Sequence, residues 1–297
     1  MNWVEVRIST RRDRVLAIQD LLESFEAEAV TLLDDADEPV FEPRPGETPL
    51  WPTVSVCGLF NSSIDRASVD RALESSVSPG DFSWREIQDQ NWERAWMDRF
   101  APMLFGHHLW VVPSDMEPPE DSEAIIIKLD PGLAFGTGTH PTTALCLRWI
   151  DSHNLRDQRV VDYGCGSGIL GIAACLKGAL EVICVDNDPQ ALEATMDNAR
   201  RNGVCDRLRC LLPAEYESEP IANGGADLVL ANILAGPLIE LSDRLAHSLQ
   251  AGGQLVLSGL LESQQLVVNE CYRDEFGTMG AAVKDGWLRL DGIRLTV

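Results

Sequence analysis

Between Arg159 and Pro189 the chain reads RVVDYGCGSGILGIAACLKGALEVICVDNDP, and this stretch limits the possible folds more than any other. An apolar run ends at Asp162, and Gly164, Gly166, Gly168 and Gly171 then fill a turn and the start of an apolar helix. A second apolar run, Val182 to Val185, stops at Asp186 and Asp188. The pattern predicts a strand, a glycine turn, a helix and a second strand that ends in a carboxylate. Glycines in such a turn adopt positive φ and admit a ligand closer than any Cβ would allow. The free N–H groups at the helix start face that ligand. An acidic side chain about 20 residues on, here Asp186, can accept hydrogen bonds from two ribose hydroxyls. The unit is expected to bind the nucleoside part of a cofactor.

Two cofactors compete for it. Gly166-Ser-Gly168-Ile-Leu-Gly171 fits G-x-G-x-x-G, which favours NAD and an oxidoreductase. The dinucleotide pattern, however, normally places its first glycine directly after the apolar residues of the strand, whereas here Asp162 and Tyr163 precede a G-x-G-x-G set. Asp-x-Gly-x-Gly-x-Gly resembles the S-adenosylmethionine motif of class I methyltransferases. In that geometry the glycines admit methionine and ribose, and there is no pyrophosphate for a helix terminus to hold. The methyl donor is favoured, and the NAD-dependent oxidoreductase stands as the alternative. A tight turn with no ligand is the least favoured reading, because Asp186 is also in place.

Length and charge narrow the class. At 297 residues the chain can bury a large core and is long enough for two domains. No apolar run approaches the roughly 20 residues that cross a bilayer, and MNWVEVRIST lacks the basic and apolar regions of a secretory signal. A cytoplasmic protein is expected. The eight cysteines show no C-x-x-C and no zinc spacing, so they read as small buried residues of a reducing compartment. Cys165, inside the glycine turn, is assigned a packing role. A net charge of -23 makes a direct grip on nucleic acid a poor expectation. It suits a basic protein partner, although acidity that only keeps the chain soluble explains the composition equally well.

Before residue 88 the periodicities predict strand (Trp3 to Ile8), helix (Arg12 to Ala27), strand (Ala29 to Leu33), strand (Val54 to Phe60), helix (Ile64 to Val77) and strand (Phe82 to Ile87). Residues 34 to 50, rich in Asp, Glu and Pro, read as a loop. This order predicts a small α+β ferredoxin-like domain over 1–88, with nothing catalytic in it. Residues 89–104 are expected to form a helical linker; Trp92 and Trp96 fall on one face, either fixing an angle between domains or simply packing. Residues 105–297 are expected to form an α/β domain with a mostly parallel sheet covered on both faces. Its strands are placed at Leu109 to Val112, Ala124 to Leu129, Arg207 to Leu212, Asp227 to Ala231 and Gly253 to Ser258, besides the pair in the glycine unit. The alternating tail, Trp287 to Val297, adds terminal strands. Helices are placed from near Ala144, from Pro189 to Asn202, from Pro237 to about Leu249 and from Glu262 to Tyr272. The loop Gly132 to Thr143 gathers glycines and hydroxyls before a helix, which suits a polar ligand or an ordinary helix cap. His140 within it reads equally as structural or catalytic.

Asn232 ends a buried strand, where open α/β sheets hold ligands. Its side chain offers a carbonyl acceptor and an amide donor. An amine could donate to that carbonyl and so aim its lone pair at a methyl group. An isolated Asn at a strand end more often closes a turn, but Asp162, the glycine set and Asp186 at their intervals favour the functional role. No general base stands out, and the transfer needs no metal.

The runs NWERAWM, LDPGLAFGTGTHPTT, VVDYGCGSGILGIAA, VDNDPQA, LANILAGPL and PVFEPRPGET resemble those of the ribosomal protein L-eleven methyltransferases, the PrmA family. The resemblance covers most of the chain. It implies a ferredoxin-like substrate-recognition domain, a helical linker and a seven-stranded, Rossmann-like class I methyltransferase domain. It implies a protein N-methyltransferase acting on lysine side chains and the N-terminal amine of a basic large-subunit ribosomal protein. Carried onto matching positions, Thr143, Gly164, Asp186 and Asn232 contact S-adenosylmethionine, with Gly166 and Gly168 in the same turn and Asn232 near the acceptor amine. Asn232-Ile-Leu-Ala lacks the Pro and aromatic of the Asn-Pro-Pro-Tyr motif used on planar amides and bases, a departure that fits an aliphatic amine. A non-catalytic ribosome-assembly factor on the same fold is the third reading, which the intact Asn232 argues against.

Overall fold

The computed structural model describes residues 3–34, 53–75, 81–87, 101–130 and 138–296. The chain divides into two compact units, Met1–Ala95 and Trp96–Val297. In the first, β1 (Trp3–Arg11), α1 (Val15–Ser24), β2 (Ala29–Asp34), β3 (Thr53–Asn61), α2 (Arg66–Glu74) and β4 (Phe82–Ile87) follow in chain order. The strands form one antiparallel sheet of order β2-β3-β1-β4. Side chains alternate across a strand, so Val4, Val6 and Ile8 of β1 join Val54, Val56 and Phe60 of β3 on one face. There they bury Val15, Ile18 and Leu22 of α1 and Val69 and Leu73 of α2. The element order is the one the periodicities predict.

In the second unit β5 (Met103–Phe105), β6 (Leu109–Val112) and β7 (Ile125–Lys128) make a small sheet of their own. Next come α3 (Pro141–Ser152), β8 (Arg159–Tyr163), α4 (Ile169–Leu176), β9 (Glu181–Val185), α5 (Pro189–Arg201), β10 (Leu208–Leu211), α6 (Pro213–Tyr216) and β11 (Ala226–Asn232). The chain then runs through α7 (Ala235–Glu240), α8 (Ser242–Ser248), β12 (Leu249–Leu261), α9 (Gln265–Phe276), β13 (Gly280–Lys284) and β14 (Trp287–Ile293). The main sheet is seven-stranded with order β10-β9-β8-β11-β12-β14-β13. β8 to β12 pair in parallel, and β14 runs antiparallel to both neighbours. From β8 the chain moves outward through β9 to β10 and then crosses to β11 on the other side. That reversal opens a crevice at the carboxyl ends of β8 and β11, where such sheets hold ligands.

Strand parity sorts the core. Val160, Val182, Cys184, Leu228 and Leu230 point to one face, against α3, α4 and α5. Val161, Ile183, Val185, Val229 and Ala231 point to the other, against Tyr216, Leu238, Leu245 and α9. Both faces are covered, so the central strands are continuously apolar rather than alternating.

Local differences from the sequence expectation have physical causes. α3 begins at Pro141, three residues before Ala144, because Pro fits the first helical position and His140 caps it. The helix expected from Pro237 to Leu249 begins at Ala235 and is two helices meeting at Leu241; a first-turn Pro removes no helical hydrogen bond. β6 and β7 leave the main sheet and pack Leu109, Val111 and Ile127 into the core beside α4. The expected linker range 89–104 runs into β5 at its end, and its residues 89–100, with Trp92 and Trp96, lie outside the described residues. So do the loop 35–50 and the Gly132 to Thr137 part of the hydroxyl-rich loop. Cys205 and Cys271 are exposed rather than buried.

Candidate functional site

At the end of β8 the chain turns through Gly164, Gly166 and Gly168, all at positive φ. A Cβ on Gly164 would lie 2.2 Å from Ile233 Cγ2, so this position admits only glycine while Ile233 stays where it is. The turn is held from outside by polar side chains. The Gly166 N–H donates to Asp186 Oδ2 at 2.9 Å, and the Asp188 N–H donates to Asp186 Oδ1 at 3.0 Å. From α5, the Thr195 hydroxyl donates to the Gly166 carbonyl at 2.9 Å and Asn198 Nδ2 donates to the Ser167 carbonyl at 2.9 Å. Gly168 caps α4, and a Cβ there would fall 2.6 Å from Thr195 Cγ2. Asp162 is 1% exposed and its Oδ2 accepts from the Gly171 N–H at 2.9 Å. It thereby satisfies one of the N–H groups that the first turn of α4 leaves without a partner. Burial pushes its carboxyl up to about 7, with nearby Asp186 adding to the rise and the Gly171 bond opposing it.

Across the crevice, Asn232 ends β11. Its Nδ2 donates to Thr143 Oγ1 at 3.3 Å, and Thr143, in the first turn of α3, is fully buried. Asn232 Oδ1 is buried without a hydrogen-bond partner among the described residues. A buried acceptor left unpaired costs about 1–3 kcal/mol, so its retention calls for a function. The segment after it is pinned by a bulge. The β12–β14 register shifts between Leu257 and Leu260, and a Cβ on Gly259, at φ +86°, would lie 2.1 Å from the Ile233 carbonyl oxygen. Ile233 thus sits between two glycines, Gly164 and Gly259.

These elements enclose a cavity of about 500 Å³ lined by Thr143, Gly164, Gly166, Asp186 and Asn232, five of the six residues singled out from sequence. The sixth, Gly168, does not line it but packs behind against Thr195. Cys165 lines the wall with its thiol 3.4 Å from Thr195 Oγ1. His140 lines it too, as the cap of α3: its Nδ1 lies 2.7 Å from Thr142 Oγ1, and burial lowers its pKa, favouring the neutral ring. Trp287, at the start of β14, carries no local site signal and meets the His140 ring edge-on at 4.7 Å. Gly259, Leu234 and Pro237 complete the apolar side. Gly259 and Trp287 share no local signal; the pairing of β12 with β14 brings the two to the crevice. Thr195 and Asn198 lie inside α5, where nothing in the local pattern sets them apart.

A family model describing ribosomal protein L11 methyltransferase (PrmA) matches residues 2–294. A ribosomal protein L11 methyltransferase of Marinobacter nauticus is 47% identical over 308 aligned residues, covering 99% of each chain. One from Vibrio cholerae is 47% identical over 300, covering 99% of this chain and all of its own. Among solved structures, a ribosomal protein L11 methylase from Lactobacillus delbrueckii subsp. bulgaricus is 31% identical with a TM-score of 0.59, over 66% of this chain and 100% of that one. The glycine turn is therefore not that of an NAD-dependent oxidoreductase: with relatives of nearly half identity along almost its whole length, this chain belongs to the ribosomal protein L11 methyltransferase family.

Proposed function

We propose that the protein transfers methyl groups from S-adenosylmethionine to amines of ribosomal protein L11, namely lysine side chains and the N-terminal amine. The observation that carries this reading is the buried Asn232 Oδ1, unpaired among the described residues, on a side chain that lines one cavity with Gly164, Gly166 and Asp186. The cavity fits the donor: Gly164 and Gly166 leave room for it, and Asp186 offers carboxylate oxygens to its ribose hydroxyls. When bound, S-adenosylmethionine supplies a methyl group on a positively charged sulfur.

The chain's own residues supply positioning, which is worth several powers of ten in rate. Thr143 accepts the Asn232 amide N–H and so fixes which way the amide faces. Asn232 Oδ1 then accepts an N–H of the neutral acceptor amine and directs its lone pair into the cavity. Ile233, Leu234, Pro237 and Trp287 exclude water from the aliphatic stem. The amine must first lose a proton, with ordinary values of about 10.4 for lysine and about 8 for an α-amine, so turnover should rise with pH through neutrality. The lining carries no carboxylate other than Asp186 among the described residues, which fits proton loss to solvent.

Under this reading residues 1–88 form the ferredoxin-like recognition domain, 89–104 the helical linker and 105–297 the catalytic domain, acting in the cytoplasm. The charge of -23 suits a basic ribosomal protein. No helix among the described residues is long and apolar enough to cross a membrane. The test is incubation with isotopically labelled S-adenosylmethionine and purified ribosomal protein L11, followed by mass spectrometry of its peptides. Label on amines supports the assignment. Its absence, with the donor bound, overturns it, and label on a different basic protein alone would move the substrate.

A further inference from the structure

The Gly166 backbone is gripped at both ends, and only one grip comes from a residue expected to meet the donor. Its N–H is taken by Asp186 and its carbonyl by Thr195 Oγ1, which is fully buried. One residue on, Asn198 Nδ2 takes the Ser167 carbonyl. Thr195 and Asn198 stand three apart on α5 and so share a face. The next residue on that face, Asn202, ties the helix to β7 by donating to the Lys128 carbonyl at 2.8 Å and accepting from its N–H at 2.7 Å. The other end of α5 is fixed by Asp188, which accepts from the Gln190 N–H at 2.9 Å. The helix that carries the grip is thus capped at its start and tied to β7 at its end.

Gly166 holds φ +55° and Gly168 φ +77°, conformations that a glycine leaves as freely as it enters. Freedom of this kind must be removed before a ligand arrives, or binding bears the cost of ordering. We infer that Thr195 and Asn198 are positioning residues that hold the Gly166-Ser167-Gly168 turn in its donor-binding shape through hydrogen bonds to its carbonyls. The inference rests on the proposed donor. Neither side chain touches the cavity, so their effect should fall on donor affinity and not on the transfer step.

The test compares Thr195→Val, which keeps the shape packed on Gly168 and removes the hydroxyl, with Thr195→Ser, which restores it. S-adenosylhomocysteine binding is measured by calorimetry, and amide hydrogen exchange at residues 166–168 is measured in the unliganded proteins. Loss of one neutral hydrogen bond predicts a Kd about 3- to 10-fold weaker in Thr195→Val and faster exchange by a similar factor, with Thr195→Ser close to the parent in both. In turnover, KM for the donor should rise and kcat stay within about twofold. Asn198→Ala should move the same quantities in the same direction and decides the matter if Thr195→Val does not fold. Unchanged affinity and exchange in the valine variant overturn the inference, as does an equal loss in the serine variant. If the parent protein binds no S-adenosylhomocysteine, the proposed donor fails, while the exchange rates still report whether the grip exists.

Discussion

The two sides of the crevice treat hydrogen bonding in opposite ways. On the side of the glycine turn five backbone groups meet side chains: Gly166 and Asp188 N–H on Asp186, Gly171 N–H on Asp162, the Gly166 and Ser167 carbonyls on Thr195 and Asn198. On the side of Asn232 the amide has one partner, Thr143, and its oxygen none among the described residues. The wall beyond it is Ile233, Leu234, Pro237 and Trp287. Saturating a polar turn fixes its shape ahead of binding, whereas leaving one buried acceptor open in an apolar wall reserves that acceptor for the partner. Under the proposed function the first side holds the methyl donor and the second orients the acceptor amine.

The most direct way to break this division is Asn232→Ala. If the open acceptor orients the amine, methyl transfer falls by about 100-fold or more, a far larger loss than that of S-adenosylhomocysteine affinity, to which Asn232 adds a single expected contact. Radiolabel transfer and calorimetry on the same preparation decide it. A matching loss of affinity would erase the distinction between the two sides.

Asp186→Ala probes the opposite side. It removes a charged acceptor from Gly166 and from the expected ribose, so affinity for S-adenosylhomocysteine should weaken by about 10- to 100-fold. Unchanged binding by calorimetry would remove Asp186 from the donor site. Raising the salt concentration bears on the protein substrate instead: KM for the basic ribosomal protein should climb as screening grows, with donor KM steady.

Gly259→Ala sharpens the role of the bulge. Alanine at positive φ costs about 1–2 kcal/mol wherever it is placed. Gly252, at φ +78° with nothing within 4 Å of its Cβ position, isolates that backbone cost. Gly259→Ala should therefore lose more stability than Gly252→Ala in urea titrations, the excess being the cost of moving the Ile233 backbone, and it alone should lower kcat, by about tenfold. Equal kcat in the two would leave the bulge as architecture only.

How much of this was legible in the sequence depends on the range of the forces involved. The glycine turn, Asp162, Asp186 and Asn232 were readable because strand, turn and helix are local and each functional residue ends a strand. Thr143 was reached by resemblance, and the structure places it under Asn232, 89 residues away in sequence. Gly259 and Trp287 were not readable. Their place follows from β12 pairing with β14 across a shifted register, and periodicity carries no trace of which strands become neighbours. The separate β5-β6-β7 sheet escaped for the same reason, since an apolar run announces a strand but not its partner. Thr195 and Asn198 looked like ordinary positions in an amphipathic helix, because a polar side chain aimed at another segment's carbonyl has the same local pattern as one aimed at water.

The last test returns to the turn and concerns stability rather than turnover. Asp162 is held among apolar side chains, and its carboxyl is raised from the ordinary 3.8 to about 7, chiefly by burial. The folded protein therefore binds more protons at this position than the unfolded chain between these two values. Stability must then fall as pH rises through that window, by at most about 1.4 kcal/mol per pH unit. Asp162→Asn keeps an oxygen for the Gly171 N–H and cannot ionise. Urea unfolding of both proteins at several pH values between 4 and 8 separates this group from every other carboxylate, because all others are shared. The stability of the asparagine variant relative to the parent should grow as pH rises from about 4 to about 7 and level off above. A difference that is flat with pH would mean that Asp162 stays ionised in the fold, and that the α4 N-terminus, reached through Gly171, stabilises its charge more strongly than burial opposes it.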